Sequence, residues 1–355
     1  MSSPTPSTSA PDDADPGSGS GRWRRLGLIG AAIVAVVAVV AGIVAVSGGG
    51  DQAGRPAAAG TPIVEDNYSD VVVSTEWLAA NLDDPSIRVI EVSTEPGVYE
   101  RGHIPGAWNY NWTTDFVSTV NRDVVSREDF TALTRRSGID PDTTVVLYGD
   151  KENWFAAWGA WVFNLYGHEN VKLLDGGRVK WEAEGRTLDV GAPQPGQGSW
   201  EAGEADPNLR AFLPDVVEVA RAAESGAETD TALVDIRGAA EFNGEIFAPE
   251  GFQETAVRAG HIPGAVNVTW SEAVADDGTF LPVDELRALY AEQGIDGSKP
   301  IVAYCRIGER ASHTWFVLSQ ILGYDVQLYD GSWTEYGNTV GVPVVNNAGT
   351  VWGVA

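Results

Sequence analysis

One cysteine in 355 residues excludes an intramolecular disulfide, so the thiol must be used in some other way. Four histidines and a single cysteine, with no CxxC or HExxH spacing, leave too few soft ligands for a zinc site, and no metal is expected. Basic residues are scarce. Twenty-three Lys and Arg against fifty Asp and Glu give a net charge of −27. That lacks the basic footprint a phosphate backbone requires, so nucleic acid is excluded as a partner. What the chain does have is apolar residues (43%) and 13 tryptophans, enough for packed cores in about two domains.

The first 65 residues read differently from the rest. Residues 1–25 are rich in Ser, Pro, Gly and Asp and read as a disordered tail. Residues 26–46 are 21 consecutive Ala, Val, Ile, Leu or Gly, long enough to cross a bilayer as a helix. Arg22, Arg24 and Arg25 precede this run, which by the positive-inside rule leaves the N-terminus cytoplasmic and the rest of the chain outside. The expectation is a single-pass anchor in the cell membrane with the folded domains on the extracytoplasmic side. The alternative is a cleaved signal and a secreted protein. Residues 47–65 read as a flexible tether.

From residue 66 onward the sequence repeats itself. Gly102-His103-Ile104-Pro105-Gly106-Ala107 recurs as Gly260-His261-Ile262-Pro263-Gly264-Ala265, 158 positions later. Val145–Asp150 aligns with Ile301–Arg306, and Leu174–Gly177 with Tyr329–Ser332, at offsets of 156 and 155. A period this long means two duplicated domains, 66–190 and 211–340, rather than a solenoid. A Pro/Gly-rich linker (191–210) joins them, and a tail (341–355) follows. Each copy alternates strand and helix signals. In the second, Ala232–Ile236, Ile301–Tyr304 and Val326–Tyr329 read as strands. Pro282–Gln293 and Ser312–Leu322 read as helices, the first with Val283, Leu286, Leu289 and Tyr290 on one face. This pattern implies an α/β fold, a mostly parallel sheet with helices on both faces. Ligands in such folds sit beyond the carboxyl ends of the strands.

Cys305 stands at such an end. The loop Cys305-Arg306-Ile307-Gly308-Glu309-Arg310 turns from a strand straight into a helix. Its N–H groups have no strand partner and can converge on one anion. Gly308 permits the curvature. Arg306 and Arg310 are placed to depress the thiol pKa and to clamp an oxyanion with planar forks. A lone cysteine is more often a small buried hydrophobe, but the flanking arginines and the strand–loop–helix setting favour a nucleophile.

These residues carry a resemblance. With both Gly-His-Ile-Pro-Gly-Ala segments, the Cys-Arg-x-Gly-x-Arg loop resembles tandem-domain rhodaneses, the thiosulfate sulfurtransferases, over Val71 to Gly337. The resemblance implies two rhodanese-like domains, the first catalytically silent. Asp150 is read as the residue that takes the place of Cys305 in the first copy. It also implies a Cys305 persulfide as the intermediate, a small-molecule sulfur donor and acceptor, and no cofactor. Arginine at Cys-x4-Arg, with Ala311 next, makes the loop one residue shorter than in the related phosphatases. Arg306, where mercaptopyruvate enzymes typically carry glycine, favours thiosulfate as donor. 3-Mercaptopyruvate, or a membrane-anchored persulfide carrier or redox sensor with weak turnover, remain the alternatives. Asp235 in Asp235-Ile236-Arg237 matches the family's Asp-x-Arg and is expected to support the loop. Some members place a substrate-binding arginine where this chain has Glu241, so that contact does not carry over. Arg258 is a candidate replacement charge. His103 and His261 read as turn-fixing residues, and Trp154 and Trp333 as core or pocket walls.

Overall fold

The computed structural model describes residues 70–251 and 256–353. The expected tail (1–25), anchor (26–46) and tether (47–65) all lie outside the described residues. Among those described, no helix is long and apolar enough to cross a membrane.

Two parallel sheets carry the fold. The first holds β1 (Val72–Val73), β2 (Ile87–Glu91), β3 (Trp108–Asn109), β4 (Thr144–Tyr148) and β5 (Val171–Leu174), in the order β1-β5-β4-β2-β3. The second holds β6 (Ala232–Asp235), β7 (Ala265–Asn267), β8 (Ile301–Tyr304) and β9 (Val326–Leu328), in the order β7-β6-β8-β9. Read from β5 and from β9, the two orders are the same, as duplication requires. Among the described residues the second sheet has no counterpart of β1. In its place Arg210, at the end of the linker, makes a single parallel bridge to Leu328.

Side chains alternate across each sheet, and both faces are covered. Val145 and Leu147 of β4 share a core with Phe130, Leu133 and Trp158, whereas Val146 and Tyr148 pack with Leu78 and Trp181 on the opposite face. In the second sheet Ala303 lies in the same continuous core as Leu147 and Trp158, and Val302 and Tyr304 pack with Val216 and Trp333. One apolar core therefore runs through both copies. The helices Trp154–Leu165 and Glu309–Trp315 both bury side chains in it.

Each repeated His-Ile-Pro turn is held the same way. The His103 ring stacks on Tyr99 at 3.8 Å and meets the Tyr99 carbonyl through Nδ1, and its backbone pairs with Asp189. His261 stacks on Phe242 at 3.6 Å, meets the Phe242 carbonyl through Nδ1, and pairs with Val345. Val345 belongs to the tail 341–355, which thus closes against the second sheet. The linker is anchored too. Gly196 and Gly198 donate to the Arg136 and Arg135 carbonyls, and Trp200 is buried beside Phe130 and Phe163.

Below each turn lies a buried ion pair. Arg178 bonds Glu91, at the end of β2, and the Gly102 carbonyl. Arg237 bonds Asp235, at the end of β6, and the Gly260 carbonyl. The two copies solve one packing problem with an arginine from different parts of the chain.

One boundary differs from expectation in a way that matters. The helix after Cys305 begins at Glu309, not near Ser312, and continues beyond Trp315 as a wider turn over Phe316–Ile321. Gly308 takes a left-handed conformation (φ 99°), which ends the loop three residues early. A Cβ there would lie 2.7 Å from the Trp158 ring and 3.0 Å from the Asp330 backbone, so only glycine fits. Arg310 consequently falls in the first helical turn.

Candidate active site

Cys305 follows β8, whose four residues are all buried. Its N–H donates to Ser332 Oγ at 3.1 Å, and its carbonyl accepts from the Trp333 N–H at 3.0 Å. The sulfur faces the start of the next helix. The Gly308 N–H donates to Sγ at 3.1 Å, and the Ala311 N–H is also directed at it. The converging amides expected from the strand–loop–helix turn are present. The first copy corrects the expected pairing: Gly149, not Asp150, follows its strand as Cys305 follows β8. The Gly149 carbonyl accepts from the Arg178 N–H as that of Cys305 accepts from Trp333, and the next residue, Asp150, accepts from the Thr94 and Glu95 N–H groups.

The thiol pKa runs opposite to expectation. The flanking arginines were to depress it, yet it is pushed up to about 11. Burial is the main cause, since Cys305 has no exposed surface, and the Glu309 carboxylate adds to it. Glu309 Oε2 lies 3.5 Å from Sγ, where it accepts the thiol proton's hydrogen bond. Arg310 and the two amides act downward but do not win. Arg310 is itself engaged: its guanidinium meets Glu241 at 3.2 and 3.4 Å, and the Glu241 side chain is only 2% exposed.

Glu241 is the residue that sequence reasoning missed. It is not the arginine that the resemblance would place there, and its carboxylate sits directly on Arg310. No spacing in the sequence links it to Arg310, 69 positions further on. The site thus brings together two buried carboxylates, Glu309 from the loop and Glu241 from the helix Ala239–Phe242, with Arg310 and the half-buried Arg306.

The remaining candidates fall into place around it. Asp235 is fully buried and bonded to Arg237, a supporting role one strand away from Cys305. Arg258 commits its guanidinium to the carbonyls of Tyr336, Gly337, Thr339 and Val342, where it organises the chain leading to the tail rather than offering a charge to the sulfur. Trp333 is core, with Arg237 stacked 4.7 Å from its ring. Trp154 is half-buried and lies 6.0 Å from the Arg310 guanidinium. The Ile307 carbonyl is bonded by Arg122, from the first copy.

Because Glu309 raises the thiol pKa, Glu309→Gln should lower it. The pH midpoint for alkylation of Cys305 by iodoacetamide is expected to fall by about one unit, as loss of a charge at this range implies. A midpoint that stays put or rises would show that Glu309 does not act on the thiol.

Comparison with known proteins places this geometry. The rhodanese-like domain model matches residues 74–184 and 216–339. The chain is 50% identical to the sulfur carrier protein TtuD of Thermus thermophilus over 279 residues, 78% of this chain and 97% of that protein. It is 49% identical to a Mycolicibacterium smegmatis protein named "Putative thiosulfate sulfurtransferase", over 78% of this chain and 98% of that one. Among solved structures, the crystal structure of SseA from Escherichia coli, described as a 3-mercaptopyruvate sulfotransferase, aligns with a TM-score of 0.62 at 30% identity. That alignment covers 74% of this chain and 98% of SseA. With two matched domains, relatives at half identity over nearly their whole length, and a buried cysteine at the strand end of the second copy, this chain belongs to the rhodanese family and is a sulfurtransferase.

Proposed function

We propose that the protein moves the outer sulfur of thiosulfate to a thiophilic acceptor through a persulfide on Cys305. The observation that carries this reading is the sulfur itself, buried at the strand end with two backbone N–H groups directed at it. Cys305 first gives its proton to the adjacent Glu309 carboxylate. The thiolate then attacks the outer sulfur of thiosulfate. A new S–S bond forms, the donor's S–S bond breaks, and its electron pair leaves with sulfite. Arg306 and Arg310 hold the sulfonate, and the amides of Gly308 and Ala311 steady the persulfide anion. An acceptor such as cyanide or a thiol attacks the outer sulfur, and the electron pair returns to Cys305. One difficult transfer is split into two easier steps.

Thiosulfate is preferred to 3-mercaptopyruvate because Arg306 adds a cation beside the nucleophile, which suits a dianionic donor. Loading the full chain with each donor and weighing it by mass spectrometry tests this. Thiosulfate should add one sulfur atom at least about tenfold faster, the discrimination that one well-placed charge gives. Faster loading from 3-mercaptopyruvate would overturn the donor assignment. A second reading, a persulfide carrier that hands sulfur to another protein, is favoured by the likeness to TtuD and by the complete burial of Cys305. Fast loading followed by slow discharge to cyanide would put that reading first.

A further inference from the structure

The copy without a thiol reaches into the site. Residues Val117 to Val124 form a turn closed by an antiparallel bridge between those two residues. The Ser118 N–H donates to the Asp123 carbonyl at 2.7 Å, and the Arg122 N–H to the Ser118 carbonyl at 3.0 Å. Arg122 sits on this turn in a left-handed conformation (φ 60°). Its guanidinium crosses to the second copy, where it donates to the Ile307 carbonyl and to the Asp330 carbonyl at 3.3 and 3.4 Å. Arg210 braces the same region by bonding the Asp330 carboxylate at 2.9 Å and Asp123 at 2.7 Å.

The Ile307 carbonyl and the Gly308 N–H are two ends of one peptide unit. In a trans peptide they point in opposite directions and form a single dipole. One end is held by Arg122, and the other donates to Cys305 Sγ at 3.1 Å. A cation on the carbonyl polarises the unit and strengthens what the N–H gives to an anion. It also fixes the orientation. Gly308 has no Cβ, so the peptide before it is the easiest in the loop to rotate. A rotated unit would turn a carbonyl toward the sulfur and repel the thiolate.

We propose that Arg122, contributed by the first copy, is a positioning residue for sulfur transfer: it locks the Ile307–Gly308 peptide with its N–H on Cys305. The proposal deepens the persulfide reading and rests on it for its catalytic meaning. It also gives the thiol-less domain a stated part in the chemistry, beyond packing.

The test reads the thiol directly. The pH dependence of iodoacetamide alkylation of Cys305 is measured on the full chain, alongside the rate of sulfur loading from thiosulfate. Arg122→Ala should raise the alkylation midpoint by about one pH unit, as expected for loss of an aligned donor and a nearby cation. It should slow loading by about ten- to thirtyfold. Arg122→Lys keeps the cation and should recover most of the midpoint. Arg210→Ala removes the neighbouring bridge between the copies without touching the peptide. It should lower the denaturation midpoint and leave the alkylation midpoint where it was. A folded Arg122→Ala protein whose alkylation profile superimposes on that of the unmodified chain would overturn the proposal. So would an equal shift in Arg210→Ala, which would reduce Arg122 to general adhesion between the copies. Because the shift is read on the thiol, it supports the assignment even if thiosulfate proves not to be the donor.

Discussion

Cys305→Ser is expected to yield no thiocyanate from thiosulfate and cyanide and no gain in mass after thiosulfate alone. The loss should exceed about 10⁴-fold, the scale on which removal of a covalent nucleophile acts. The oxygen of serine is nearly isosteric with sulfur but stays protonated and forms no stable bond to sulfane sulfur. Nothing else in the chain can substitute, because there is no second cysteine. The first copy's Asp150 is already bonded to the backbone of Thr94 and Glu95. The three residues that follow it, Lys151, Glu152 and Asn153, all take left-handed conformations, so its loop does not present converging amides as the second copy does. The fold should survive. Serine can donate to Glu309 and accept from the Gly308 N–H as the thiol does, so stability should change by less than about 1 kcal/mol. Mass spectrometry and a thermal melt on the same sample separate loss of chemistry from loss of structure. Persistent sulfur uptake by the serine variant would move the reaction away from Cys305 altogether.

The duplication, the strand ends and the position of the thiol were legible in the sequence because they are local. Repeated Gly-His-Ile-Pro-Gly-Ala turns and short apolar runs carry their own signal, and the strand Ile301–Tyr304 is found where the run of apolar residues places it. The partners of the loop were not legible, because they come from far along the chain. Glu241 lies 69 positions from Arg310, and Arg122 lies 185 positions from Ile307. No spacing rule connects such pairs. The helix start moved for a local reason that sequence underdetermines: Gly308 was recognised as permissive, but only the close approach of Trp158 and Asp330 makes its left-handed turn obligatory. Counting charges without their partners gives the wrong direction for the thiol pKa. Two arginines near a cysteine suggest a thiolate, yet one of them is held by Glu241, and Glu309 stands closer to the sulfur than sequence adjacency implies. Val345, in the tail, pairs with His261 because the second turn needs the backbone partner that Asp189 gives the first.

Arg310→Ala should combine a large loss of activity with a large loss of stability, and the two can be taken apart. The Arg310 side chain is 9% exposed and that of Glu241 2%. Removing the guanidinium leaves Glu241 charged and buried without its ion-pair partner, facing the Gly238 N–H and the more distant charge of Arg237, a defect that costs up to about 3–5 kcal/mol. At the sulfur, the one side chain that pulls the thiol pKa downward disappears while Glu309 remains. The pKa then climbs above its value of about 11, less thiolate forms at neutral pH, and an anionic donor meets the Glu241 and Glu309 carboxylates with one arginine fewer to offset them. Sulfur loading, measured as kcat/KM for thiosulfate, should fall by about 10²- to 10³-fold. Arg310→Lys keeps the charge but loses the planar fork, so it should fall between the two proteins on both measures. The decisive variant is the double change Arg310→Ala with Glu241→Gln. Neutralising Glu241 removes the buried charge, so most of the stability should return, as measured by chemical denaturation. Loading should remain depressed, because no cation has been restored to the donor. If loading recovers together with stability, Arg310 serves only to neutralise Glu241, and the sulfonate must be held elsewhere, with Arg306 the next residue to change.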